Sequence, residues 1–263
     1  MAPAMKDKPN KSKLEGRNCH RFFVEAGGLH GKDVVLSGRQ AHQICNVLRL
    51  KQGQRIIVLD NEGGEYEVEL TIVNKKETRG HILQNRQPDT ESHIQITLFQ
   101  SMLAREKFEL VLQKCTEVGV AKFVPIIAER GIVQENAIKT NKLERWHSII
   151  REAAEQSHRA LLPQLDSPIK YNKALEKVTD FDCAMLASPA AKGGLKKSLT
   201  NYRQVKTIGL FIGPEGGFSQ QEIDQAKAKG VFEFGMGPRI LRTETAAVIA
   251  AALILYELGE MEN

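Results

Sequence analysis

Two glycine-bearing loops hold the residues whose types and spacing could do chemistry. The first, Ile212-Gly213-Pro214-Glu215-Gly216-Gly217, follows the apolar run KTIGLF and leads into FSQQE. A strand that breaks into glycines and then opens a helix is where α/β proteins hold ligands. Part of the segment is structural, because Ser219 and Glu222 have the spacing of a capping box. Residues 213–217 remain, more than a turn requires. Glycines there let backbone groups approach a flat ligand closely. A phosphate is disfavoured, since Glu215 would repel it and no lysine follows, so the Walker and dinucleotide patterns both fail. A neutral or cationic ligand fits better.

The second loop reads MGPRILRTETAA over 236–247. It crowds Arg239, Arg242 and Glu244 at a helix start, where Thr243 or Thr245 can satisfy free backbone donors. A cation at that position works against the helix dipole. Two readings follow: an anionic substrate, or a salt bridge to Glu215 or Glu244. Gly213-Pro214 and Gly237-Pro238 each lie just beyond a strand, and ASPA (187–190) ends a third. Parallel neighbours bring such loops to one edge of a sheet.

The elements that must position these loops fall into two halves. From about 20 to 87 the chain reads as short strands: HRFFVE, KDVVLS, QRIIVLD, EYEVELTIV and TRGHILQNR, with NEGG (61–64) as a hairpin turn. One helix interrupts them, GRQAHQICNVLRL, with Ile44, Val47 and Leu48 on one face. That content predicts a small β-barrel. PDTESH (88–93) reads as a linker. Beyond it strand and helix alternate through IQITLFQ, KFVPIIA, FDCAMLAS, KTIGLFI and VFEFGMG. This alternation predicts an α/β domain with a mostly parallel sheet. The expected division is a tail over 1–17, a barrel over 18–88 and the α/β domain over 94–263.

Composition narrows the class. Of 263 residues, 41% are hydrophobic and 26% charged, ordinary for a globular protein. The longest apolar run, AAVIAAALILY (246–256), is too short to span a bilayer and reads as a buried helix. No secretory signal is apparent. Cys19, Cys45, Cys115 and Cys183 form no close pair, which predicts reduced thiols in a cytoplasmic protein and no metal site. The formal net charge is +5, and Lys6, Lys8, Lys11, Lys13 and Arg17 make the tail basic. Such a tail suits transient contact with phosphate backbones.

IGPEGGFSQQEI together with GPRILRTETA resembles the ribosomal RNA small subunit methyltransferase E family, uridine methyltransferases of the SPOUT class. HRFFVE and HQICNVLRLKQGQRIIVLD resemble its N-terminal RNA-binding domain. QSMLAREKFELVLQKCTEVGV, PIIAERGIV and EAAEQSHR resemble the start of its methyltransferase domain. The likeness runs over about 18–258. It implies a PUA-like β-barrel followed by a SPOUT α/β domain with a C-terminal trefoil knot. Threaded chains are very rare, and physical rules alone argue against a knot.

The resemblance also implies a homodimer that binds S-adenosylmethionine in the knot and methylates the N3 imide nitrogen of a uridine in small-subunit (16S) ribosomal RNA. Carried over, the cofactor would lie on three segments. They are Leu186, Ala187, Ser188 and Pro189; then Ile212 to Gly217; then Met236, Gly237, Ile240, Leu241, Arg242, Thr243 and Thr245. Glu215 is the expected base for the weakly acidic imide, and Arg242 the group that stabilises its anion. Arg21, Arg49, Lys51, Arg105, Lys107, Arg130 and Arg159 are expected RNA contacts, whereas Phe22 and Phe23 read better as barrel core. The rival readings are methylation of another RNA or of a ribose oxygen, and a non-catalytic RNA-binding module. Intact loops count against the last.

Overall fold

The computed structural model describes residues 19–25, 27–132, 140–199 and 204–262. The basic tail expected over 1–17 lies outside the described residues. Alternating apolar side chains give the first half β1 (Arg21–Phe23), β2 (Leu29–His30), β3 (Asp33–Ser37), β4 (Arg55–Leu59), β5 (Glu65–Val73) and β6 (Glu77–Arg86). They pair in the order β1-β4-β5-β6-β3-β2. Only β1 on β4 is parallel. The expected barrel is thus a curled sheet around one core, which joins Phe22, Leu36, Ile56 and Val68.

Asp60 fixes the hairpin between β4 and β5. Its Oδ1 accepts from the N–H groups of Glu62 at 2.7 Å and Gly64 at 2.8 Å, a side-chain-stabilised turn. Helix α1 (Gly38–His42) passes into a π-helical turn over Gln43–Val47. Ile44 enters the core as expected, but Val47 is 65% exposed. The wider turn of a π-helix rotates it off the buried face.

The second half holds β7 (Gln95–Ser101), β8 (Lys122–Ile127), β9 (Gln164–Leu165), β10 (Ile169–Lys170), β11 (Cys183–Ala187), β12 (Thr207–Ile212) and β13 (Phe232–Phe234). Their order is β10-β8-β7-β12-β11-β13, with β9 beside β8. Every pairing is parallel. The helices are α2 (Arg105–Val118), α3 (Thr140–Gln156), α4 (Tyr171–Leu175), α5 (Leu195–Leu199), α6 (Gln220–Ala228) and α7 (Thr243–Glu257). Successive strand residues point to opposite faces, so Leu98 and Leu210 enter one core with α2 and α7. Phe99 and Phe211 stack at 4.4 Å in the other, under α4 and α6.

After β12 the chain passes β11 to reach β13 at the sheet edge. It then returns to the middle, where α7 packs on α2, β7 and β12. None of the described helices is long and apolar enough to cross a membrane.

The halves meet at β1 and α3. Phe23, Ile57 and Leu59 pack with Ala154. Glu155 Oε1 accepts from the Phe23 N–H at 3.1 Å. The Phe23 carbonyl accepts from Gln40 Nε2 at 2.6 Å and Arg151 Nη1 at 2.8 Å. Both polar backbone groups of Phe23 are therefore held, and β1 offers no free edge at this point. Its aromatic ring is core, as expected, but core of the domain junction rather than of the curled sheet alone.

Candidate active site

Registered strands bring the three loops together. Ala187 lies opposite both Ile212 of β12 and Phe234 of β13, so the chain leaves all three strands at one level. Ser188 N–H then donates to the Phe234 carbonyl at 2.9 Å, and Gly235 N–H to the Gly193 carbonyl at 2.8 Å. Thr243 closes the arrangement: its Oγ1 donates to the Gly213 carbonyl at 2.5 Å. Gln100 Nε2, buried at the end of β7, lies 3.4 Å from that same hydroxyl.

These segments enclose a cleft of about 550 Å³, within the range of small-molecule sites. Its wall includes Ala187, Ser188 and Pro189, then Ile212, Gly213, Pro214, Glu215 and Gly217, then Met236, Gly237, Ile240, Leu241, Arg242 and Thr243. Three residues named from sequence do not line it. Leu186 is buried in the core under α4 and α6. Gly216 is turned aside, its carbonyl accepting from Arg130 Nη1 at 3.3 Å. Thr245 is exposed on the first turn of α7.

The wall also includes Lys107, Arg239, Glu244 and Ala246. Arg239 and Glu244 stand out in sequence by their charge at a helix start. Lys107, expected as an RNA contact, reaches the wall on α2 from a distant part of the chain.

The loops hold their shape by local chemistry. Gly217 and Gly237 have φ of 66° and 96°, which only glycine adopts at little cost. A Cβ on Gly213 would lie 3.1 Å from the Phe218 backbone nitrogen. The capping box is present in full: Ser219 Oγ accepts from Glu222 N–H, and Glu222 Oε2 from Ser219 N–H.

Glu215 is paired. Lys107 Nζ donates to its Oε1 at 2.9 Å. Burial alone would push the Glu215 carboxyl up, but the Lys107 hydrogen bond, a backbone N–H and the lysine charge outweigh it and leave the pKa below the usual range. Arg242 is the N-cap residue of α7 and is exposed. Among the described residues neither Arg242 nor Glu244 forms an ion pair, so the salt bridge that sequence left open is made by Lys107 instead.

The expected RNA contacts divide sharply. Arg21 has a side chain 7% exposed and is paired with Glu65, which also holds Arg86. Arg159 is buried as well, holding Glu91 and the carbonyls of Thr116 and Val120. Both are corrections: each guanidinium is buried against a carboxylate, Arg159 against backbone carbonyls as well, and is turned away from an outside phosphate. Arg105 is exposed on α2 with Glu109 as an i, i+4 partner at 3.0 Å. Arg49, with φ of 54°, and Lys51 are exposed ahead of β4. Arg130 is exposed beside Gly216.

Residues 90–255 match the family model of an RNA methyltransferase domain, and residues 36–82 that of an RNA methyltransferase PUA domain. Curled sheet, parallel sheet and strand-end cleft thus define an RNA methyltransferase. The chain is 31% identical to Ribosomal RNA small subunit methyltransferase E of Bacillus subtilis, over 90% of this chain and 96% of the relative. It is 34% identical to the Synechocystis protein of that name, over 90% and 77% respectively. The crystal structure of a Ribosomal RNA small subunit methyltransferase E from Neisseria gonorrhoeae, bound to S-adenosyl methionine, is similar at a TM-score of 0.82 and 32% identity, covering 90% of this chain and 97% of that one. A Legionella pneumophila protein in complex with the cofactor SAM gives 0.84 at 29% identity, covering 91% and 98%. The chain belongs to the ribosomal RNA small subunit methyltransferase E family.

Proposed function

We propose that this protein methylates the N3 imide nitrogen of one uridine in small-subunit ribosomal RNA, using S-adenosylmethionine, as a cytoplasmic homodimer acting on the assembled subunit. The observation that carries this reading is the cleft where β11, β12 and the segment before α7 converge, in a chain whose relatives are solved with that cofactor. The residues present suit it. Gly213, Gly217 and Gly237 bare the backbone for adenine and ribose, and Glu215 and Glu244 give the wall carboxylates that tolerate a cation. The return of the chain from β13 to α7 fits the threaded trefoil implied by the resemblance, and we infer that the segment 236–242 is part of that knot.

When bound, the cofactor supplies an electrophilic methyl group. The protein's own work is then to hold the uracil in line, to accept its imide proton and to stabilise the charge that spreads onto its carbonyl oxygens. Arg242 is free to do the last, having no ion pair among the described residues. Glu215 stands as the proton acceptor. Lys107 keeps it ionised and makes it a weaker base than a free carboxylate. Exposed Arg49, Lys51, Arg105 and Arg130 are the cations left to contact phosphates. For the dimer, α7 presents Ile249, Leu253 and Tyr256 outward at helical spacing.

The test is methyl transfer from labelled cofactor to small ribosomal subunits and, separately, to naked small-subunit RNA, with the modified nucleoside mapped by mass spectrometry. A single N3-methyluridine, formed faster on subunits, is the expected result. Label on a ribose oxygen would favour the rival chemistry, and no transfer to either substrate would overturn the reading.

A further inference from the structure

The cleft contains two carboxylates in different states. Glu215 already has a cation, Lys107, at 2.9 Å. Glu244 has none: it forms no ion pair among the described residues, and its Oε2 is shut off from solvent without a hydrogen-bond partner. Buried polar atoms are rarely left unpaired in native proteins, so an orphan oxygen on a residue of the cleft wall calls for an explanation. Glu244 sits in the first turn of α7, where backbone donors favour a negative charge. The charge therefore suits its helix, and what it lacks is a partner.

We propose that Glu244 is the residue that senses the positive charge of the methyl donor, facing the sulfonium side of the bound cofactor. This rests on the reading of the cleft given above. The donor carries a sulfonium cation, whereas the spent product is a neutral thioether that is otherwise the same molecule. A half-buried carboxylate with no counter-ion in the wall of the cleft attracts the first and is indifferent to the second. Glu215 cannot perform this role as well, since Lys107 already compensates it. The glycine loops grip what donor and product share, and Glu244 tells them apart. Discrimination is then a difference of two affinities, and loss of the methyl group weakens the hold on what remains.

Calorimetric titration of the full chain with S-adenosylmethionine and with S-adenosylhomocysteine tests this without any turnover. Glu244→Gln should raise the donor Kd about tenfold, a change of about 1.4 kcal/mol, and leave the product Kd within about twofold. Glu244→Asp keeps the charge and should keep the donor preference even if both affinities fall. Thermal unfolding without ligand separates a folding defect from a binding one. Equal losses for both ligands in Glu244→Gln, or no loss for either, would overturn the proposal; a buried water serving Oε2 would give that result. If the wild-type protein binds neither ligand, the cofactor reading itself fails, which is a separate outcome.

Discussion

Lys107 and Glu215, 108 positions apart in the chain, meet across the cleft with Nζ 2.9 Å from Oε1. The contact ties the first turn of α2 to the loop after β12. Both side chains are about a third exposed, at 38% and 34%, so the pair stabilises the fold by at most about 1 kcal/mol. Its larger effect is on protonation. Glu215 has a depressed pKa, so the pair contributes stability above the unfolded carboxylate pKa and loses it as pH falls through the folded value. Lys107→Met should shift the acid limb of the kcat/KM profile to higher pH. An unchanged limb would separate Glu215 from proton transfer.

Arg242 carries the second expectation. It stands at the N-cap of α7, where the helix dipole disfavours a cation by a few tenths to about 1 kcal/mol. Arg242→Ala should therefore cost no stability. If Arg242 stabilises charge on the uracil, turnover should fall by about a hundredfold or more, with cofactor affinity nearly unchanged. Single-turnover methylation of small subunits, with binding measured apart, checks both halves of the statement.

The glycines of the first loop are not equivalent. A Cβ on Gly213 meets the Phe218 backbone at 3.1 Å, whereas on Gly216 the nearest atom is Arg130 Cβ at 3.4 Å, an ordinary van der Waals contact. Overpacking typically costs ~1–3 kcal/mol. Spent on a loop that lines the cleft, it should weaken cofactor binding by roughly tenfold or more in Gly213→Val. Gly216→Ala should bind within about twofold of wild type. Titration of the two variants side by side decides the matter.

Glu155 predicts a pH effect far from the cleft. Burial at the domain junction raises its carboxyl to about 7, opposed by the Phe23 N–H and by Arg151. Because the folded pKa lies above the unfolded one, the stabilisation is present at low pH and is lost as pH rises through about 7. Glu155→Gln keeps an acceptor for the Phe23 N–H and removes the titration. The variant should gain on the order of 1–3 kcal/mol relative to wild type between pH 5 and pH 8. Denaturant midpoints at the two pH values measure it.

The outer face of α7 supplies the last expectation. Ile249, Leu253 and Tyr256 are 39%, 38% and 57% exposed on a helix whose other side is fully buried. A second copy covering them should give a dimer at micromolar concentration, and Leu253→Glu should dissociate it. Sedimentation velocity of the two proteins is the check, and a monomeric wild type would rule out this interface.

Much of the fold is legible in local pattern. The capping box of α6, the turn at Asn61–Gly64 and the alternation of strand and helix beyond residue 94 are short-range signals, and each corresponds to an observed element. The two glycine loops are legible for the same reason. Residues that depend on distant partners are not. Gln100 reaches the cleft only through tertiary packing, and Lys107, legible as a cation, meets Glu215 by the same route. Arg21 and Arg159 fail in the opposite direction, since Glu65 and Glu91, the carboxylates that enclose them, lie 44 and 68 positions away. A charge reads as available until the fold supplies its counter-ion.

The cleft draws its wall from Lys107, from the ends of β11 and β12, and from the segment that leads into α7. During synthesis, the early strands can pair and bury their side chains while the final wall is still inside the ribosome. The gap near Gly213 that Thr243 closes stays open until that threonine has emerged and α7 has folded back. A nascent chain would therefore gain its ligand site only after most of its sheet. Ligand capture would then report that α7 has folded back onto the sheet.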